Sequence, residues 1–472
     1  MKSRVVILGA GVTGLSAAYR LSQFPEMEVH VVEKESEVGG LCRSFQEGAF
    51  TLDYGPHKFY SNVPGVTEHL CEIMGDEFLV REKVQKIFMD GKYFSFPLSL
   101  FEMLTRFSPL KSVQILVSFG WQAIKNIIKP KSIATYSDFV VAKFGNKLYQ
   151  SIFQPMAKKM FGNPEKLDRR LAEIRISSPG LVAVLKNVLF SKKVDRNVSA
   201  PEFHYPKAGF GRIPAKLREK AEANGVKFHL GATVKRIEHS HGKVQGVRVE
   251  NSDGTSELLP CDQLVYTIPM QLIGELIPEL PAEVRQASRF VRYRHTIVYY
   301  FLLKSPEVLP GMWVFYPGSE FRFGRLSEMT KFSPALAPTG HTALMADFTC
   351  LEEDPEWGMN DEQLGDRLMQ QLKPLNLFSE DQVVKRFSKR FKNFYPVYDV
   401  GYESRVKRLR DLETQFNNLY FVGRVGDFNY NNSDQCFDMG YSVANHIHEK
   451  QQVGTEWSQL RSERFEKYRI VD

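Results

Sequence analysis

The chain has 472 residues, 43% of them hydrophobic and 25% charged, which is enough for two or three domains with substantial cores and excludes disorder along its whole length. Lys plus Arg total 62 against 55 for Asp plus Glu, and the resulting charge of +7 is too dilute to indicate nucleic acid as a partner. It suits small anionic ligands, and it allows contact with an acidic membrane surface without requiring it. Cys42, Cys71, Cys261, Cys350 and Cys436 are scattered, without the close pairs of zinc sites or redox dithiols. No metal is therefore expected, and a reducing, cytoplasmic location is. The first residues place basic side chains ahead of an apolar run, but three glycines punctuate it, so mature protein is expected and not a leader. Ser112 to Ile128 is apolar yet interrupted by Gln114, Gln122 and Lys125, so no membrane-spanning helix is expected.

In chain order, Arg4 to Leu8 is a short β-rich run, followed by Gly9-Ala10-Gly11-Val12-Thr13-Gly14 and by Leu15, Ala17, Ala18 and Leu21 at helical spacing. This predicts strand, tight turn and helix: Gly9 makes the turn, Gly11 admits a pyrophosphate, and Gly14 lets helix pack on strand. Val29 to Val32 predicts a second strand ending in Glu33, about twenty residues on, where a carboxylate binds ribose hydroxyls. Gly39-Gly40 and Arg43 follow, a second glycine turn with an arginine in reach of the same phosphates. From Ser99 to Ser191 the apolar spacing is helical, broken at Pro109, Pro130 and Pro164. Between Val226 and Pro269 it changes to β runs at Lys227–Leu230, Thr233–His239, Lys243–Glu250 and Gln263–Ile268, read as a meander inserted in the nucleotide domain. A second β region, Arg292 to Phe348, holds His295 to Leu303, long enough for an interior strand. Near the far end, Asn418 to Val422 predicts a buried strand running into Gly423-Arg424-Val425-Gly426, and Met439 to Ile447 a helix rich in small residues.

These two ends together resemble the large FAD family that contains amine oxidases, protoporphyrinogen oxidase, phytoene desaturases and UDP-galactopyranose mutases. The resemblance implies an α/β chain with a Rossmann-like FAD-binding domain of the GR2 type, built from residues 1–98, a β meander in 201–275, and 401–472. A helical insertion would occupy 99–200, and a substrate-side β-sheet 276–400. FAD would be held by Gly9, Gly11, Gly14, Glu33, Gly39, Gly40, Arg43, Gly423 and Arg424. Val234 stands where related flavoproteins place a backbone contact to adenine, although a strand residue needs no such role.

Further patterns resemble the mutase branch. Leu52-Asp53-Tyr54-Gly55-Pro56-His57 is similar to its Asp-x-Gly-x-His loop, which implies His57 beside the flavin; packing alone would also account for a buried histidine there. The stretch from Gly423 to Gln435 matches in arginine, tyrosine and Asp-Gln positions, implying Arg424 and Gln435 at the flavin and Tyr430 on substrate phosphate, with bracing of the turn as the alternative for Tyr430 and Gln435. Arg175 and Arg325 stand at positions similar to the mutase arginines that clamp a diphosphate, a task suited to the guanidinium fork. Tyr395 resembles a further phosphate ligand, and Phe94-Ser95-Phe96-Pro97 the segment that packs on uracil. Two departures leave the sugar and nucleotide open: Phe332 stands where eukaryotic mutases carry a tyrosine, and Asn432 where bacterial ones carry an aspartate.

The resemblance implies an isomerase acting on a UDP-sugar in surface polysaccharide biosynthesis. Its reduced flavin N5 would attack the anomeric carbon, and NAD(P)H or a reductase would maintain the reduced state. The alternative is an FAD-dependent oxidoreductase of the protoporphyrinogen oxidase, amine oxidase or desaturase type acting on an apolar substrate. In its favour are 35 phenylalanines and the apolar helices after Ser99, with Lys125, Lys129 and Lys131 suited to a membrane surface.

Overall fold

Val5, Val6, Ile7 and Leu8 are all fully buried, and a run that is apolar on both sides forms a stable strand only where both faces of its sheet are covered. A computed structural model, which describes residues 2–98, 102, 105–128, 132–176, 201–450 and 454–470, shows that arrangement. β1 (Ser3–Leu8) is central in a five-stranded parallel sheet, flanked by β2 (Met27–Glu33) and by Gln263–Tyr266, with Lys227–Leu230 and Leu419–Phe421 at the edges. Val5 and Ile7 pack with Leu15, Ala18 and Leu21 of α1 (Val12–Leu21). Val6 and Leu8 pack on the opposite side with Ile237, Val247 and Val249.

The predicted meander differs from the observed one. Lys227–Leu230 and Gln263–Tyr266 join the parallel sheet, whereas Thr233–Ser240, Lys243–Glu250 and Ser256–Pro260 form the antiparallel three-stranded unit. The register separates the two sets: Val247 and Val249 alternate with exposed polar neighbours, while Gln263–Tyr266 is buried at every position.

The second sheet has seven strands. Tyr293–Leu303 is hydrogen-bonded on one side to Thr342–Cys350 and on the other to Val383–Pro396. Its Ile297, Tyr299, Phe301 and Leu303 face Leu364, Leu368 and Leu372 of the helix Asp361–Leu372. Val298, Tyr300 and Leu302 face the nucleotide half, and the Tyr300 hydroxyl donates to the Asp53 carbonyl oxygen at 2.7 Å. The hairpin of Gln85–Met89 and Lys92–Ser95 extends this same sheet by pairing with Trp313–Phe315, so the chain ahead of residue 98 contributes to both sheets.

The regular elements described between residues 99 and 176 are helical, with the helices Pro109–Ile128, Tyr136–Phe144, Gln154–Met160 and Arg169–Arg175. The second of these begins in a capping box between Thr135 and Asp138, which satisfies two of its open N–H groups. Ser177 to Ser191, and Lys129 to Lys131, lie outside the described residues. Among the described residues, no helix is long and apolar enough to cross a membrane.

Candidate active site

The Gly9–Gly14 turn carries the nucleotide half of the site. Gly9 has φ +96°, and a Cβ there would lie 2.7 Å from Thr267 Oγ1. A Cβ on Gly14 would lie 2.0 Å from the Gly9 carbonyl oxygen, so only glycine brings α1 this close to β1. Gly11 caps α1 without a side-chain hydrogen bond, and a Cβ there would meet nothing within 4 Å. The protein therefore leaves that space open at a helix N-terminus, where N–H groups and the helix dipole favour an anion. Glu33, at the end of β2, accepts from Ala10 N at 2.8 Å and Glu35 N at 3.0 Å. This places its carboxylate against the turn. Gly39 donates to the Ala10 carbonyl oxygen at 2.7 Å, and Arg43 Nε donates to the Gly40 carbonyl oxygen at 3.1 Å while its guanidinium lies over Tyr54.

The distant end closes on this turn. In the helix Ser433–Lys450, a Cβ on Gly440 would lie 2.0 Å from Ser16 Oγ and 2.3 Å from the Thr13 carbonyl oxygen, so the helix rests directly on α1. Its approach is held from behind by a buried ion pair. Arg461 donates to Glu413 at 2.6 and 2.7 Å, and Glu413 also accepts from Phe421 N at 2.7 Å and from Trp457 Nε1 at 3.0 Å. Phe421 ends the strand that leads into Gly423 and Arg424.

Arg424 enters an aromatic enclosure, its guanidinium 4.6 Å from the Tyr395 ring centroid, 5.2 Å from Tyr430 and 5.5 Å from Phe394. Its Nε is buried without a hydrogen-bond partner, and so is Nδ1 of His57, whose ring stacks on Phe210 at 4.9 Å. Burial, then the positive charges of Arg325 and Arg424, push the His57 pKa down to about 3. The imidazole is thus neutral near pH 7. Buried polar atoms without partners are rare in folded chains, and these two, together with the open space at Gly11, fit the polar groups an FAD would supply. Cys42 lies in the same region, its thiol pushed up chiefly by burial with Cys436, Arg424 and Asp53 nearby.

Arg175, the last residue of Arg169–Arg175, lies 5.6 Å from the Tyr430 centroid and 6.0 Å from that of Phe161. Tyr430 stacks on Tyr395 at 5.4 Å and 11°. Arg175, Tyr430, Tyr395 and Arg424 therefore form one contiguous group, contributed by three separate parts of the chain. Arg325 is tied to Asp347 by two hydrogen bonds of 2.9 and 3.0 Å, on the sheet face shared with Val298 and Met345.

Other predicted positions serve the framework. Gln435 has both amide ends in use, accepting from Asn432 N at 3.1 Å and donating to the Arg469 carbonyl oxygen at 2.8 Å, so it braces the turn. Val234 is half-buried beside an irregularity in its strand pairing. Phe332, at the position of a lost tyrosine hydroxyl, stacks on Trp313 at 5.6 Å within the core. Phe94 is fully buried, and Phe96 packs on Phe315 at 5.0 Å.

Two supports carried no sequence signal. Tyr398 Oη accepts from Tyr430 N at 2.8 Å and donates to the Phe428 carbonyl oxygen at 3.2 Å, which holds Tyr430 in place. Lys159 Nζ donates to the carbonyl oxygens of Tyr316, Gly318 and Phe323, fixing the loop that leads into Arg325. Burial pushes its pKa down to about 7. A tyrosine and a lysine in ordinary surroundings become legible only when the carbonyls they bind are seen.

A glycine-turn nucleotide half, a second sheet across the cleft and a C-terminal strand and helix that return to the glycine turn define an FAD-dependent enzyme. The chain belongs to the flavin containing amine oxidoreductase family, whose model matches residues 12–447. Its fold is similar to that of reduced UDP-galactopyranose mutase, with a TM-score of 0.83 at 20% identity over 100% of this chain and 98% of that one. Among curated proteins it is similar to coproporphyrinogen III oxidase of Bacillus subtilis (strain 168), 21% identical over 93% of this chain and 96% of that protein. It is also similar to 1-hydroxycarotenoid 3,4-desaturase of Flavobacterium sp. (strain P99-3), 24% identical over 60% of this chain and 62% of that protein.

Proposed function

We propose that this enzyme is a mutase-like isomerase of a nucleotide-diphosphate sugar, a UDP-sugar by preference, working with reduced FAD in cytoplasmic synthesis of surface polysaccharide. The observation that carries the reading is the placement of Arg175 and Arg424 against one tyrosine ring, Tyr430, at 5.6 and 5.2 Å. Two half-buried guanidinium groups on one ring favour anionic groups among them. Flavin phosphates and a substrate diphosphate are such groups.

When bound, reduced FAD supplies an electron-rich ring nitrogen able to act on an anomeric carbon with no net redox change. The residues of this chain then bind and orient. Arg175 and Arg325 hold the diphosphate near the site it leaves, so that it returns to the same sugar. Tyr395 and Tyr430 supply phenolic donors to its oxygens, and Arg424 and His57 lie at the flavin, His57 as a neutral imidazole. NAD(P)H or a reductase provides the reducing equivalents.

A second reading, oxidation of an apolar substrate, is favoured by the aromatic lining of Phe161, Phe394, Tyr395 and Tyr430 and by the names of the curated relatives. The deciding experiment measures UDP binding to the purified holoenzyme with oxidised and with chemically reduced flavin. Binding that tightens on reduction, followed by ring isomerisation of a UDP-sugar, supports the mutase reading. Absence of UDP binding in both states, with turnover of a porphyrinogen, amine or polyene, replaces it by the second.

A further inference from the structure

The helix Pro109–Ile128 anchors itself to the protein through Ile115, which is buried in the core, and otherwise largely through polar groups. Beside Ile115, Ser112 is buried, Ser118 Oγ accepts from Lys147 N at 3.0 Å, and Asn126 Nδ2 donates to the Ala142 carbonyl oxygen at 2.8 Å. Its backbone at Phe119 lies against Gly145, where a Cβ would come within 3.0 Å. The outward side carries Leu110, Val113, Leu116, Val117, Trp121, Ile124, Ile127 and Ile128, each between 43% and 83% exposed. At the α-helical step these residues cover an arc of roughly 140°. A contiguous apolar face of this size on a water-facing helix marks a docking surface.

Charge selects the occupant. Between Glu102 and Asp138 the sequence contains no acidic residue, while Lys125, Lys129 and Lys131 are basic, as are Arg106 and Lys111, which pair with Glu102 and Asp90. A second copy docked through the same face would oppose basic residues to basic residues. The stretch 177–200 offers the face no better complement, since it holds Lys186, Lys192, Lys193 and Arg196 against the single acid Asp195. An anionic lipid surface satisfies both features at once, with apolar side chains at the boundary of the acyl chains and lysines among the head groups. We propose that the helix Pro109–Ile128 lies in the plane of an anionic lipid bilayer and seats the enzyme on it. Since this helix packs on Tyr136–Phe144, which packs on Arg169–Arg175, the bilayer would lie on the side of the helical layer away from Arg175. The inference stands on this face alone and holds for either reading of the substrate.

Trp121 makes the test specific. Of the four tryptophans, Trp313 and Trp457 are buried and Trp357 is half-buried, so iodide-quenchable emission from the full-length holoenzyme reports chiefly on Trp121. The expected result is co-sedimentation with phosphatidylcholine vesicles containing about one third phosphatidylglycerol, with a blue shift and loss of quenching that Trp121→Phe removes. Binding should weaken at least tenfold in the pair Val117→Glu and Ile124→Glu, with flavin content unchanged, and should decline as salt rises. Equal binding to pure phosphatidylcholine would overturn the anionic partner. Emission already shielded from iodide without lipid would overturn the proposal in favour of cover by the protein itself. A dimer that the two glutamates convert to monomer, with no vesicle binding, would assign the face to a second copy.

Discussion

Arg424 lies against Tyr395, its guanidinium 4.6 Å from the ring centroid, with Nε buried and unbonded. Ring faces stabilise the charge but leave the in-plane N–H donors unsatisfied, and a buried donor without a partner costs about 1–3 kcal/mol. With the flavin placed as proposed, its binding relieves that cost. Replacing Arg424 by Ala should therefore weaken FAD binding by about 2 kcal/mol, roughly thirtyfold, with little loss of apoprotein stability. Flavin fluorescence titration of the apoprotein checks this, and unchanged affinity would remove Arg424 from the cofactor site.

Two glycines of the nucleotide half should behave oppositely. A Cβ at Gly11 meets nothing in the protein, whereas one at Gly440 meets the backbone of α1 at 2.3 Å. Gly11→Ala should fold with apoprotein Tm unchanged yet lose at least about tenfold in FAD affinity, since the new methyl group fills ligand space. Gly440→Ala should lose about 1–3 kcal/mol of stability from overpacking, despite the better helix propensity of alanine. Thermal unfolding of the two apoproteins separates these effects.

The depressed His57 pKa sets the sign of a pH dependence. The folded value is about 3 against an ordinary value of about 6.5, so as pH falls the unfolded chain binds the proton first. His57 then contributes stability that is fully present above about pH 6.5 and is lost as pH falls toward 3. Tm measured through that window should decline less steeply in His57→Asn than in the parent. An imidazole that titrates above pH 5 by NMR in the folded protein would contradict this.

Removing Glu413 leaves the buried Arg461 with Asp427, 3.3 Å away and shared with Arg410, as its remaining counter-charge. Glu413→Gln should cost less than the about 3–5 kcal/mol of a fully uncompensated charge, seen as a lower urea midpoint, and should loosen flavin because Phe421 N bonds to the same carboxylate at 2.7 Å. Equal stability of parent and variant would show that the Glu413–Arg461 pair does not hold the C-terminal helix.

Under the mutase reading, Arg175→Met and Arg325→Ala should each weaken UDP binding by about 2 kcal/mol. Asp347 already engages Arg325 through two hydrogen bonds, so Asp347→Ala in the Arg325→Ala background separates loss of a ligand from exposure of an unpaired carboxylate. Calorimetry on the reduced holoenzymes measures all three.

Local chemistry made the ends of the chain legible. The spacing of Gly9, Gly11 and Gly14, the position of Glu33, and the strand running into Gly423-Arg424 each encode a short piece of geometry that neighbouring residues dictate. The long strand within Tyr293–Leu303 was equally plain, because interior strands are apolar over their whole length. Which sheet a short β run joins was not legible. Lys227–Leu230 and Lys243–Glu250 look alike in composition, yet one pairs in parallel with β2 and the other antiparallel in the meander, since pairing partners are chosen by distant residues.

By itself, the sequence determined the nucleotide turn, and the resemblance of two separate motifs, one at each end, pointed to the family of the fold and the cofactor, because each motif depends on residues close together in the chain. Only the tertiary structure decided which cations share the cleft. It set Arg175 and Arg424 on one ring, tied Arg325 to Asp347 and bonded Gln435 to Asn432 and Arg469. It also left the apolar side of Pro109–Ile128 facing outward, where the sequence shows only an amphipathic pattern. Periodicity states that a helix has two faces; the packing of neighbouring helices decides which of them meets the solvent.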